Sequence, residues 1–348
     1  GDLYFGITAT TATYQDALAT ASALKSLRPN AKVILGGHHS DGQEDIILQN
    51  SDIDYVVTGE GEKPLESILR GNLSALGIHY KGKLSVIGQS DQGEKLQKND
   101  LNGLTIDQYD PEMQERSMQF DEVNLITARG CPMQCSFCSV ANERVRAQDP
   151  DVVLNQIGYL VEKMSEKGEF KPIAIQDNFF AQNPERAKEI AHRLVEYKKR
   201  TDHELKWNMQ TRVEQFKDKE LVYLLSQAGC DAAYFGIENF DAKVLHYINK
   251  FNSQGIGSGG AEKIKTRAER YVLDSKRAVH NALEYGIVPH LDFQVGFPVE
   301  DNDTRKTNLE SFERIGRGAE AYGLTPLVFP SLSVVYPGTK FYSDMVLS

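Results

Sequence analysis

Short apolar runs alternate with longer stretches of helical period along most of this chain. Leu3-Tyr4-Phe5-Gly6-Ile7 reads as a buried strand. From Tyr14 to Leu27, the positions Ala17, Leu18, Ala21 and Leu24 recur at the spacing that puts one apolar face on a helix. Arg28-Pro29-Asn30 ends that helix, because proline disfavours helical backbone in the residue before it. Lys32-Val33-Ile34-Leu35 is a second strand running into Gly36-Gly37. A short helix then leads to Ile53-Asp54-Tyr55-Val56-Val57 and on to Gly59-Glu60-Gly61-Glu62. Apolar strands separated by amphipathic helices predict a parallel sheet, and ligands of such sheets bind beyond the strands' carboxyl ends. Thr8, Gly36, Gly37, Gly59 and Glu60 stand at those ends and form a candidate ligand crevice, although a single glycine after a strand is ordinarily a turn.

Residues 73–120 are polar and irregular and read as a linker with a small hairpin around His79 to Val86. Beyond them the strand–helix unit recurs six times. The predicted strands are Val123–Ala128, Ile173–Gln176, Leu205–Met209, Ala232–Gly236, Pro289–Val295 and Thr325–Val335. Helices are expected at Asp151–Lys167, Pro184–Arg200 and Lys217–Ala228. Right-handed crossovers of this kind close into a full or partial barrel, with chemistry at the strands' C-terminal mouths. The expected fold class is α/β: residues 1–72 a partial Rossmann-like parallel sheet, 73–120 a linker, and 121–348 a partial (β/α)6 barrel.

The 348 residues allow one large or two ordinary domains, with 40% apolar and 25% charged residues. Lysine and arginine number 39 against 49 acidic residues, a formal charge of −10, which argues against nucleic-acid or anionic-membrane binding. No apolar run approaches the roughly 18 residues that span a bilayer, and no signal peptide is visible. Four cysteines, three of them crowded, suit reduced thiols and a cytoplasmic setting. Gly1 lies almost on a strand, which implies further sequence upstream.

Directly after the first barrel strand comes Ala128-Arg129-Gly130-Cys131-Pro132-Met133-Gln134-Cys135-Ser136-Phe137-Cys138. Three thiols in one short loop can hold three corners of a cuboidal iron–sulfur cluster and leave the fourth iron open. A structural zinc site normally takes four protein ligands, and the remaining cysteine, Cys230, lies far along the chain where it reads as packing. An open iron can chelate an amine and a carboxylate, as the methionine end of S-adenosylmethionine (SAM) offers. Asp177 or Glu238 are then candidates for the amino group or ribose hydroxyls, and Arg212 for the carboxylate. Gly296 and Pro298 flank a side-chain-poor shelf for adenine, and Phe137 is a candidate shield for the cluster or plain packing.

The CxxxCxxC run, followed by strand-end motifs in this order, resembles the radical SAM superfamily over Val123 to Thr339. The resemblance implies that Cys131, Cys135 and Cys138 hold a 4Fe–4S cluster. It also implies SAM, a reductant such as flavodoxin or ferredoxin, and a 5′-deoxyadenosyl radical that abstracts hydrogen from a small organic substrate. More narrowly, Gly6-Ile7-Thr8, Leu35-Gly36-Gly37-His38-His39 and Val57-Thr58-Gly59-Glu60-Gly61-Glu62 resemble the later half of a cobalamin-binding domain, which adds cobalamin as a candidate cofactor. The two upstream strand–helix units of such a domain and its DxHxxG motif are missing. That tilts the expectation toward cobalamin-free oxidation, elimination or rearrangement, with cobalamin-dependent C-methylation as the alternative and a non-catalytic electron carrier as the third reading. The glycine-rich, then basic segment Asn249 to Arg267 reads as a solvent loop or a substrate lid. No residue is assigned as a hydrogen donor.

Overall fold

The computed structural model describes residues 3–82, 95–108, 111–201, 203–251 and 261–346. Two compact units result: residues 1–96, 137–139 and 334–348 form one, and residues 97–136 and 140–333 form the other.

The first unit runs β1 (Tyr4–Thr8), α1 (Tyr14–Leu27), β2 (Lys32–Gly36), α2 (Glu44–Asn50), β3 (Tyr55–Val57), α3 (Glu62–Leu69) and β4 (Ile78–Tyr80). Its sheet has the order β1-β2-β3-β4. The first three strands are parallel, with Ile7 opposite Leu35 and Leu35 opposite Val56. α1 lies where its apolar spacing predicts: Ala17 and Ala21 are buried against Val33, Leu35 and Ile47, and Leu18 and Leu24 pack on the same cluster. β4 corrects the all-parallel expectation, because it pairs antiparallel with β3, Val56 opposite His79. His79 therefore belongs to this sheet, and its ring nitrogen meets the buried Thr58 hydroxyl at 3.1 Å. The rest of the expected hairpin, residues 83–86, lies outside the described residues. The final helix, Lys340–Val346, also belongs to this unit, with the Gln43 amide donating to the Tyr342 hydroxyl at 3.4 Å.

The second unit opens with α4 (Lys98–Gly103) and α5 (Pro111–Ser117). It continues β5 (Val123–Leu125), β6 (Ala128–Arg129), β7 (Arg146–Ala147), α6 (Pro150–Lys167), β8 (Ile173–Ile175), α7 (Pro184–Thr201), β9 (Trp207–Thr211) and α8 (Lys219–Gln227). It ends with β10 (Cys230–Glu238), α9 (Ala242–Tyr247), α10 (Ala261–Glu284), β11 (Val288–Val295), α11 (Asn302–Glu320) and β12 (Leu327–Leu332). Six strands lie in the order β12-β11-β10-β9-β8-β5, every pair parallel, with β12 and β5 at the edges among the described residues. This is the expected partial barrel. Helices cover its outer face: Val153, Ile157, Leu160 and Val161 of α6 and Ala187, Ile190, Ala191 and Leu194 of α7 are fully buried.

The units do not follow the boundaries read from the sequence. Residues 73–82 continue the first sheet, and residues 97–120 belong with the barrel. Side-chain amides explain the latter: Gln148 donates to the Leu101 carbonyl at 2.7 Å, and Gln156 accepts from the Ile106 N–H at 3.1 Å. The strand expected over Val123–Ala128 is also broken after Leu125. Its Thr127 and Ala128 N–H groups bond to the Asp177 carboxylate, and Ala128–Arg129 pairs antiparallel with Arg146–Ala147 instead. The strand expected at Leu205–Met209 is displaced to Trp207–Thr211, and that over Thr325–Val335 shortens to Leu327–Leu332. Residues 252–260 of the glycine-rich segment lie outside the described residues. Among the described residues no helix is long and apolar enough to cross a membrane.

Candidate active site

The cysteine loop begins at a position only glycine tolerates. Gly130 has φ +88°, and a Cβ there would stand 2.5 Å from the Arg144 carbonyl oxygen. Beyond it the loop folds back on itself: the Glu143 N–H bonds to the Cys131 carbonyl at 2.8 Å and the Asn142 N–H to that of Met133 at 2.6 Å. Cys135 is buried, while Cys131 and Cys138 are partly exposed. Phe137 and Cys138 count with the first unit, Cys131 and Cys135 with the second.

Three consecutive residues after α9 grip the middle of this loop. The Ser136 N–H bonds to the Ile248 carbonyl at 3.0 Å, and the Asn249 amide donates to the Gln134 carbonyl at 2.7 Å. The Cys135 thiol points at the Lys250 carbonyl, 3.9 Å away. That same carbonyl accepts from the Arg212 guanidinium at 2.8 Å. Lys250 itself is buried and ion-paired with Glu238 at 2.8 Å. Glu238 also accepts from the Gln294 amide at 2.8 Å and carries a φ of +64°, where β10 slips register against β11. Arg212 forks onto Glu214 at 2.7 and 3.2 Å, with Tyr271 beside it, 5.3 Å from guanidinium carbon to ring centroid.

These contacts set the charge around the sulfurs. Burial pushes the Cys131 thiol up, opposed by the Met133 backbone N–H and by Arg212 and Lys250. Burial works against charge on Lys250, yet Glu238 leads the groups that hold its ammonium above the ordinary value. The same balance, with Glu214 as partner, raises Arg212. Two buried, permanently charged cations thus flank Cys131 and Cys135. Each is already paired with a carboxylate, yet both still favour the thiolate at Cys131 against burial, which fits sulfurs that act as ligands. Among the described residues no three His, Cys, Asp or Glu side chains gather around a point one ion could occupy. In a cubane each thiolate takes a different iron, so its ligands need not converge on one point.

Asp177 has a different place from the one expected. It is fully buried, with one oxygen accepting the Thr127 and Ala128 N–H groups at 2.6 and 2.8 Å and the other accepting the Thr127 hydroxyl at 2.6 Å. Three hydrogen bonds commit it to fixing the corner that leads into the cysteine loop. Arg186 reinforces that corner by donating to the Thr127 carbonyl and hydroxyl, both at 3.2 Å. Arg212 likewise already holds a carboxylate, that of Glu214. At the end of β11, Gly296 and Pro298 are exposed around buried Phe297, and the Gly296 N–H is held by Glu300 at 3.0 Å.

In the first unit, β2 ends at a crossing that excludes side chains: at Gly37, φ +99°, a Cβ would lie 2.5 Å from the Ala9 carbonyl oxygen. Beside it Ser40 is fully buried, with its hydroxyl unpartnered. An enclosed, unmet hydroxyl at the carboxyl end of a parallel strand fits a ligand with hydrogen-bonding groups, as cobalamin is. The Gly59 N–H bonds to Asp41 at 3.1 Å and Glu60 accepts from the Leu96 N–H at 2.7 Å, while Thr8 is exposed. His39 stacks on Tyr14 at 3.9 Å between centroids.

Lys250 and Asn249 are the residues at the cysteine loop that sequence reasoning missed, since they open a stretch that reads as loop. A lone lysine three residues past a helix gives no signal without its partner.

A model of the radical SAM superfamily matches residues 125–312, and a model of the B12 binding domain matches residues 2–69. An uncharacterized methyltransferase of Pyrococcus horikoshii is 26% identical over 351 residues, covering 97% of this chain and 68% of its own. The anaerobic magnesium-protoporphyrin IX monomethyl ester cyclase of Rubrivivax gelatinosus is 24% identical over 340 residues, covering 88% and 53%. Among solved structures, the radical SAM methyltransferase TsrM of Kitasatospora setae, with cobalamin and a 4Fe–4S cluster bound, superposes with a TM-score of 0.71 at 18% identity, covering 99% of this chain and 64% of that one. At such identity the likeness is one of fold. The chain spans between about half and two thirds of the length of these proteins.

Proposed function

This chain belongs to the radical SAM superfamily, and from that premise we propose that it is a cobalamin-dependent radical SAM enzyme transferring a methyl group to a carbon of a small organic substrate. The observation that carries the reading is the strand-end site of the first unit, with its side-chain-free crossing at Gly37 and unmet Ser40 hydroxyl, in one chain with the cysteine loop. Sequence reasoning alone leans toward cobalamin-free chemistry. The match of residues 2–69 to a B12 binding domain, together with relatives named as methyltransferases, favours the alternative.

Cys131, Cys135 and Cys138 would ligate the cluster, and Gly36, Gly37, Ser40 and Gly59 would face the corrin. When bound, the cluster supplies one electron for cleavage of the SAM sulfonium, and cobalamin serves as methyl carrier. Arg212 and Lys250, each held by its own carboxylate, would temper the charge of the thiolates. Glu238, held at both oxygens by Lys250 and Gln294, presents a fixed acceptor at the barrel mouth. Gly296 and Pro298 leave room for a flat ring at the end of β11. The electron would come from a small reductant such as flavodoxin or ferredoxin.

The test is anaerobic reconstitution with iron, sulfide and hydroxocobalamin, followed by methyl-labelled SAM. The expected result is a corrin retained through gel filtration and SAM consumed under reducing conditions. SAM cleavage to 5′-deoxyadenosine by a protein that retains no corrin would overturn methyl transfer in favour of hydrogen abstraction alone.

A further inference from the structure

Polar residues occupy alternate positions of β11 from His290 through Asp292 to Gln294, and the structure shows which way they face. Leu291 and Phe293 are buried, and Phe293 packs edge-on against Phe312 of α11 with centroids 4.9 Å apart. On β10, Phe235 does the same with Phe216 at 4.8 Å. Strand side chains alternate, so Tyr234, His290 and Asp292 lie on the opposite, inner face of the partial barrel. Phe329 of the edge strand β12 is in register with Asp292 and shares that face.

These four residues are arranged as a seat. Tyr234 and His290 meet edge-to-face at 4.3 Å, and Phe329 closes on both, 5.9 Å from Tyr234 and 5.4 Å from His290. Phe329 remains 43% exposed, so the aromatic surface is uncovered. The Nδ1 atom of His290 is enclosed and has no hydrogen-bond partner. Burial lowers the His290 pKa, so the imidazole is neutral near pH 7 and offers one N–H and one lone pair. Asp292, two residues on, has no ion-pair partner among the described residues. Lys250, the cation that bears on it, is taken by Glu238. The flank toward β5 is a ladder of amides, Gln210 to Gln176 at 3.4 Å and Gln176 to Asn124 at 2.8 Å.

The geometry points to a substrate-binding seat formed by Tyr234, His290, Asp292 and Phe329, which takes a planar nitrogen-bearing ring that is neutral or cationic and rejects anions. The aromatic trio supplies a face for the ring, the His290 Nδ1 meets one of its polar atoms, and Asp292 accepts its N–H. The inference rests on the reading that the substrate is transformed inside this barrel.

The probes are benzimidazole and, as its charge-reversed counterpart, benzoate, titrated into the reconstituted full chain and followed by calorimetry. Benzimidazole should bind saturably and benzoate should not. His290→Phe should weaken benzimidazole by about tenfold, the loss of one buried hydrogen bond. His290→Gln, which keeps a donor and an acceptor, should fall between, so a fold failure of the first variant is recognised. The exposed His280→Gln serves as the unaffected control. Equal or tighter benzoate binding, or undiminished affinity in both His290 variants, would overturn the seat. Iron content and SAM consumption are measured on the same samples. Loss of those in the unmodified protein would count against the proposed reaction, whereas intact SAM consumption with no selective benzimidazole binding would count against the seat alone.

Discussion

Lys250→Met removes an ammonium 2.8 Å from Glu238, in a pair whose side chains are 6% and 7% exposed. At the surface such a pair would be worth less than about 1 kcal/mol. Here one partner's removal strands a carboxylate in the interior, a loss of about 3–5 kcal/mol. Glu238 retains the Gln294 amide at 2.8 Å, which places the expected cost near the lower bound, about 3 kcal/mol. Lys250→Met with Glu238→Gln removes both charges and should come within about 1 kcal/mol of the unmodified protein. The single tryptophan makes the measurement clean, because Trp207 is fully buried on β9, next to the strand that carries Glu238. Its fluorescence in urea therefore reports the barrel unit. With a slope of about 2–3 kcal/mol per molar, the single variant should unfold at a urea midpoint about 1 M lower. Iron content should survive, since the main chain of Lys250, not its side chain, approaches Cys135. The cluster's reduction potential should become more negative, because a cation that favours the extra electron is gone. A midpoint unchanged in the single variant, or a double variant as unstable as the single, would refute the dry ion pair.

Asp177→Ala leaves the buried Thr127 and Ala128 N–H groups without acceptors at about 1–3 kcal/mol each, and should lower both the Trp207 urea midpoint and the iron bound per chain. Asp177→Asn, which retains one carbonyl acceptor, should be milder on both readouts. Gly37→Val meets the Ala9 carbonyl at 2.5 Å and forces a branched side chain to φ +99°, so corrin retention should fall while iron content holds. Asp292 titrates at about 6 in the fold against an ordinary 3.8, mainly because it is buried and secondarily because of Glu238. Folding thus favours its protonated form, and that stabilisation, complete below about pH 4, is lost as pH rises through about 6. The full displacement corresponds to about 3 kcal/mol, reduced by partial exposure to about 1–2, so Asp292→Asn should gain that much on the unmodified protein between about pH 4 and pH 7 in urea titrations. An equal gain at both pH values would remove Asp292 as the cause.

What periodicity and punctuation control was legible in the sequence. α1 stops before Pro29 and α7 starts on Pro184, because proline acts within a residue or two of itself. The cysteine loop was legible because three thiols so close together have few uses. The partners of Asp177 and Glu238 were not, since each is settled by competition over distance. Asp177 breaks a strand fifty positions earlier by outbidding the ladder for two N–H groups, and Glu238 finds Lys250 only after α9 has turned the chain. Yet the seat left a trace. A parallel strand covered on both faces reads as a continuous apolar run, and a barrel interior built for stability is filled with branched aliphatics. Pro289-His290-Leu291-Asp292-Phe293-Gln294 instead alternates strictly, with a histidine, a carboxylate and an amide on the inner face. Packing cannot account for that choice, because each of those groups loses water on folding and Nδ1 of His290 recovers nothing for it within the chain. An interior that forgoes its own core at β11 is what the proposed seat requires, and the unmet hydrogen bond of His290 is where its ring would touch.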